Sequence, residues 1–148
     1  MPLVPTPPID LAREAFLGVI RLHEKLTTEA AEVFARHDVT AAWFNVMRIL
    51  IGGTPAGVSC QYVGERLLHR LPDVTRLIDR MEAAGLVTRE RSTEDRRVVT
   101  IRITKKGRTT CEALREPIDD LHRRQFAHLS RTALEQLVTR LQNALDRP

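Results

Sequence analysis

The side chains of this sequence best suited to chemistry are arginines, and their spacing points to contact with a polyanion. Between Gly64 and Arg108 stand twelve Lys and Arg against seven Asp and Glu, whereas the rest of the chain sums to one negative charge within a total of +4. The basic character is therefore regional. From Pro72 to Ala84, helical spacing turns Val74, Leu77, Ile78 and Met81 inward and leaves Asp73, Thr75, Arg76, Asp79 and Arg80 outward. An outward arginine near the start of such a helix can form the bidentate contact with guanine. Arg76 is the leading candidate for it, with Arg80 reaching a base or a phosphate further along. Arg96 and Arg97 stand in a polar turn and need only charge and reach to engage phosphates or a narrow minor groove. Arg89, Arg91 and Arg102 suit contacts that position rather than read. The alternative for Arg76 and Arg80 is a solvated surface on which they pair with Asp73 or Asp79.

Other chemistries find less support. No Gly-rich phosphate loop, nucleophile elbow or His-Glu metal motif is present, so the reading is of a protein that is not an enzyme and holds no cofactor. Cys60 and Cys111 make no disulfide framework, and the spacing of His122, His128 and Cys111 does not put three metal ligands on one helical face. A redox switch needs an accessible thiolate, and Cys60, in the first turn of a short helix, is the better placed of the two for that role.

These residues need elements to hold them. From Ile9 to Phe34, Ile9, Ala12, Phe16, Val19, Leu26, Ala30 and Val33 share one helical stripe, and Asp10 suits the N-cap. That helix is too long to bury its stripe alone, so later helices or a second copy must cover it. Thr40 caps a second helix, Ala41 to Ile51, and Ser59 a short third containing Val63 and Leu67. The fourth begins near Pro72, which a first helical turn tolerates, and stops before Gly85. The period then changes from 3.6 to 2, giving strands over Leu86 to Arg91 and Arg97 to Ile103 joined by Ser92 to Arg96. Thr104 caps the next helix, expected to break or kink at Pro117, and Ser130 caps the last. The order α-α-α-α-β-β-α-α describes a mainly α protein with a small β-hairpin wing, a winged helix-turn-helix. With 43% hydrophobic residues but no apolar run near the ~20 residues that span a bilayer, and a Pro-rich start unlike a signal peptide, a cytoplasmic protein is expected.

The run from Val74 to Val87 resembles the recognition-helix segment of MarR-type regulators. Glu94-Asp95-Arg96-Arg97, followed by Ile103-Thr104-Lys105-Lys106-Gly107, is similar to their wing and its exit. Val63 to Leu67 resembles the helix before, and Leu129-Ser130 with Leu134 to Leu137 resembles the final one. Tyr62, where the family often has an acid, and Pro72-Asp73 depart from the pattern. The resemblance implies a single domain over 1–148: dimerisation helices at about 9–37 and 105–146 enclose a DNA-binding lobe at about 40–104. It implies a homodimer that binds a palindromic operator on double-stranded DNA and represses until released by a ligand. Asp95 is then an anchor that fixes the wing arginines through an ion pair. A small aromatic or phenolic effector would lie between the dimer helices and the lobe, where Phe16, His37, Trp43, Phe44 and Arg48 could line its cleft. The family's redox cysteine lies in the first helix, where this chain has none. Architectural, sequence-independent DNA binding is the other reading of the same charge, and the outward row Thr75, Arg76 and Arg80 discriminates between them.

Overall fold

The computed structural model describes residues 10–146. Six helices run over Leu11–Ala35 (α1), Ala41–Ile51 (α2), Cys60–Arg66 (α3), Val74–Ala83 (α4), Lys105–Gln125 (α5) and Arg131–Leu145 (α6). Three strands, Val58–Ser59 (β1), Val87–Arg91 (β2) and Val99–Ile103 (β3), form an antiparallel sheet in the order β1-β3-β2. The expected order of helices and hairpin is present, with the two-residue β1 as an addition.

Side-chain caps set the helix starts. Asp10 accepts from the amides of Ala12 and Arg13, Thr40 from Trp43, Ser59 from Tyr62, Thr104 from Gly107 and Ser130 from Ala133. Each satisfies an amide that the helix cannot, an effect of about 1 kcal/mol. Ile9, expected to open the first stripe, lies outside the described residues. The fourth helix starts later than its proline suggests: Asp73 is the cap, accepting from the Arg76 amide, and Pro72 precedes it. Its end is as expected. Gly85 takes φ +76°, and the amides of Gly85 and Leu86 return to the carbonyls of Glu82 and Met81, the paired bonds of a Schellman turn. α5 continues through Pro117 rather than breaking there, so the proline removes one donor without ending the helix.

The best-buried side chains are Val46 and Met47 of α2, Val63 of α3, Ile78 and Met81 of α4, Val87 and Ile101 of the wing strands, and Leu114 of α5. The core is therefore that of the lobe, and it seats the inward stripe of α4. α1 contributes to it only near its end, through Val33 and Phe34. The early stripe of α1 stays open, with Phe16 64% and Val19 52% exposed, and α6 has no buried residue.

Candidate nucleic-acid interface

The outward row of α4 is as the helical period requires. Thr75, Arg76, Asp79 and Arg80 are exposed, while Ile78 and Met81 behind them are fully buried. Neither guanidinium of Arg76 and Arg80 makes a hydrogen bond or ion pair among the described residues. The acids that could have neutralised them are used elsewhere. Asp73 caps α4, and Asp79 is bonded by Arg89. Two cations are thus left free on the exposed face of a helix whose position is fixed by its buried side.

On the wing, Arg91, Arg96 and Arg97 are exposed and their side chains have no partner among the described residues. The hairpin register runs from Val87 opposite Ile103 to Arg91 opposite Val99. The tip closes with the amide of Ser92 on the carbonyl of Val98. Asp95 does not form the ion pair expected of it. Its carboxylate accepts from the Arg97 backbone amide at 3.0 Å, an Asx turn that shapes the tip and leaves both arginine side chains free.

Arg89 differs from its neighbours. Opposite Ile101 in the register, it shares that residue's inward face, and its guanidinium donates to Asp79, to Glu82 at 3.2 Å and to the carbonyl of Thr75 at 3.0 Å. Burial disfavours its charge, but the bond to Asp79 and the fields of Asp79 and Glu82 outweigh that and raise its pKa above the usual arginine value. Its donors face the recognition helix, so the phosphate contact expected of it is replaced by an internal clamp. Arg102 is likewise held, by Glu90 at 3.3 Å and the carbonyl of Ala56 at 3.0 Å.

Two contributors escape sequence periodicity. Lys106 donates to the carbonyl of Ala84 at 2.8 Å, satisfying the end of α4 from the first turn of α5. Arg70, on the turn into α4, presents another exposed, unpartnered guanidinium among the described residues.

Of the expected effector residues, one cleft brings together Phe44 and Arg48. A cleft of about 310 Å³ between α2 and α5 is walled by Phe44, Arg48, Cys111 and Arg115, among others, but not by Phe16, His37 or Trp43. Phe44 is buried against Phe34, and the Arg48 guanidinium lies 5.8 Å from the Phe44 ring centre. Burial raises the Cys111 thiol pKa, against a lowering by Arg48, which makes it a poor thiolate. Cys60 is half-buried at the first position of α3, and no group of three or more metal-ligating side chains occurs among the described residues.

The lobe that carries this helix and hairpin matches known proteins in sequence and fold. The sequence pattern of the MarR family matches residues 37–98, which span α2 to the wing. An uncharacterized HTH-type transcriptional regulator of Bacillus subtilis, YkoM, is 32% identical over 137 residues, covering 92% of this chain and 87% of that protein. This chain belongs to the MarR family. Among solved structures, a MarR transcription factor from Planctomyces limnophilus is 33% identical, with TM-score 0.71 over 90% of this chain and 97% of its own. A mutant MarR of Escherichia coli, solved with operator DNA, is 26% identical, with TM-score 0.78 over 93% of this chain and 99% of its own. MarR-family proteins are DNA-binding transcriptional regulators, and the free arginines stand on the helix and wing that the fold presents. No helix among the described residues is long and apolar enough to cross a membrane.

Proposed function

We propose that this protein represses transcription as a homodimer, each subunit placing α4 in one major groove of an inverted-repeat operator. The supporting observation is the pair Arg76 and Arg80, exposed and unpartnered on a helix whose opposite face is locked into the core. Thr75 and Arg76 read base edges and Arg80 reaches a base or phosphate. Arg91, Arg96 and Arg97 bind backbone or minor groove. Asp73 and Arg89 act indirectly, as cap and clamp. Residues about 40–104 serve as the DNA lobe, and the helices on either side, about 9–37 and 105–146, as the dimer body. Two-fold symmetry would set the recognition helices about one DNA turn, ~34 Å, apart. For the effector, the α2–α5 cleft favours a small aromatic ligand with one negative charge: Phe44 offers a ring and Arg48 charge, while Arg115 is paired with Glu112 of the same wall at 3.8 Å. That cleft shares α5 with the latch that Lys106, in the first turn of α5, makes on the Ala84 carbonyl at the end of α4, so an occupant there can bias the recognition helix.

The test is selection of duplexes from a random library with purified protein at moderate salt. Enrichment of an inverted repeat with half-site centres about one helical turn apart is the expected result. Salt-sensitive recovery without enrichment would instead assign the protein to architectural binding.

A further inference from the structure

We propose that Arg89 is a positioning residue: it sets the angle between the recognition helix and the wing, and so decides sequence preference without touching DNA. The inference deepens the DNA-binding reading above and rests on it.

Three observations carry it. Arg89 occupies an inward register position, directly opposite the fully buried Ile101. Residues directly opposed in an antiparallel pair point to the same face, so the side chain leaves β2 toward α4 rather than toward the outer surface of the wing. Its partners, Thr75, Asp79 and Glu82, are spaced four and three residues apart and form one stripe along α4. Glu82 also accepts from the Arg89 backbone amide at 3.1 Å, so strand and side chain are gripped by the same carboxylate. One side chain thereby fixes α4 at successive turns to the strand that leads into Arg91 and the wing tip. Its side chain is only 22% exposed, against 55% for Asp79.

The clamp also has an electrostatic consequence. Asp79 stands in the outward row beside Arg76 and Arg80, where an uncompensated carboxylate would repel phosphates. Arg89 neutralises it from behind. The base-reading row therefore faces DNA with its acid already engaged, and the row's geometry depends on that bond.

Positioning and phosphate contact predict different responses to salt. Removing one phosphate-binding cation from a complex with B-DNA lowers the slope of log K against log salt by about 0.9, whereas a positioning residue releases no counterion. Affinities of the unaltered protein, Arg89→Ala, Asp79→Asn, their combination and Arg96→Ala would be measured across a salt series. The probes are a duplex recovered from the library and a random-sequence duplex. Arg89→Ala and Asp79→Asn are each expected to cut the preference for the selected duplex about tenfold, the scale of one base contact, with the Arg89→Ala slope unchanged. The combination should lose no more than Arg89→Ala alone, because that variant already removes the bond to Asp79. Arg96→Ala should lower the slope and leave the preference. Asp79→Asn is the sharper arm, since it removes a negative charge from the DNA-facing row and should still weaken specific binding. It also decides the matter if circular dichroism shows that Arg89→Ala is unfolded. Tighter binding of both duplexes by Asp79→Asn, or a slope for Arg89→Ala that falls as for Arg96→Ala, would make Arg89 a phosphate contact and overturn the inference. If the unaltered protein binds neither duplex in a salt-dependent way, the DNA-binding reading itself fails, an outcome separable from the others.

Discussion

Arg76 and Arg96 carry the same charge but project from different supports, and that difference sets what each can do. Arg76 stands in the first turn of a helix anchored on its far side by the fully buried Ile78 and Met81, so its reach is restricted to a narrow set of positions. Arg96 stands at a hairpin tip shaped by an Asx turn, with no partner for its side chain among the described residues. Arg76→Ala should therefore cost ~1–3 kcal/mol on a selected duplex and relax preference at one base-pair position. Arg96→Ala should weaken all sequences alike. Competition binding against single-base-pair variants of the selected duplex separates the two, and equal loss on every variant for Arg76→Ala would remove it from base readout. At this scale the sequence is legible where period decides and mute where partners decide. The outward row of α4 follows from the inward one. The part taken by Asp79 does not, because its partner Arg89 lies ten residues away across the turn into β2. A signal exists all the same: alternation puts Arg89 on the face of Val87, the buried side. Asp95 is missed for the opposite reason, since an acid beside two arginines suggests an ion pair while the backbone amide two residues on is the nearer donor.

Elements are legible wherever a cap or a period marks them. Thr40, Ser59, Thr104 and Ser130 announce the helices they cap, and alternation announces β2 and β3. β1 is not legible, because two residues carry no period and their pairing with Thr100 and Ile101 is long-range. Pro117 misleads because packing of Leu114, Ile118 and Leu121 holds α5 together across the missing donor. How α5 begins matters most for the recognition helix. Thr104 donates to the carbonyl of Gly85 and accepts from Gly107, its amide donates to the carbonyl of Leu86, and Lys106 takes the carbonyl of Ala84. Gly107 permits this contact: a Cβ there would lie 2.3 Å from the Leu86 carbonyl oxygen and 2.7 Å from Ile103 Cγ1. Gly107→Ala gains up to about 1 kcal/mol in helix propensity. The clash is with backbone already bonded to Thr104, and overpacking of this kind costs ~1–3 kcal/mol, so the clash should win. Thermal melting is expected to show a lowered midpoint for Gly107→Ala. An unchanged or raised midpoint would mean that α5 can slide away from α4 freely, and the latch would lose its role.

At the scale of the whole molecule, a single chain leaves too much apolar surface uncovered. α6 is fifteen residues long and buries none of them, and a helix of that length has little stability in water without packing. Its stripe includes Val138 at 47% and Leu141 at 40% exposure, and the open part of α1 adds Phe16 and Val19. The sequence shows that these stripes need a cover but not what supplies it, since period fixes a face and not its partner. A second copy is the cover expected here, joining α1, α5 and α6 of both subunits. A two-fold interface meets every substitution twice. Leu141→Glu removes a leucine worth ~1.5–3 kcal/mol on full burial, from each side, and sets an acid in its place. The dimer dissociation constant should therefore rise by at least about a hundredfold. Sedimentation velocity at micromolar concentration is expected to show the unaltered protein as a dimer and the variant as a folded monomer. In the monomer each lobe keeps Arg76, Arg96 and Arg97, so binding to a single half-site should persist. The gain from a second half-site should vanish, because the two recognition helices are no longer held at a fixed spacing. A variant that stays dimeric would place the interface on another face and leave the stripes of α1 and α6 without a cover.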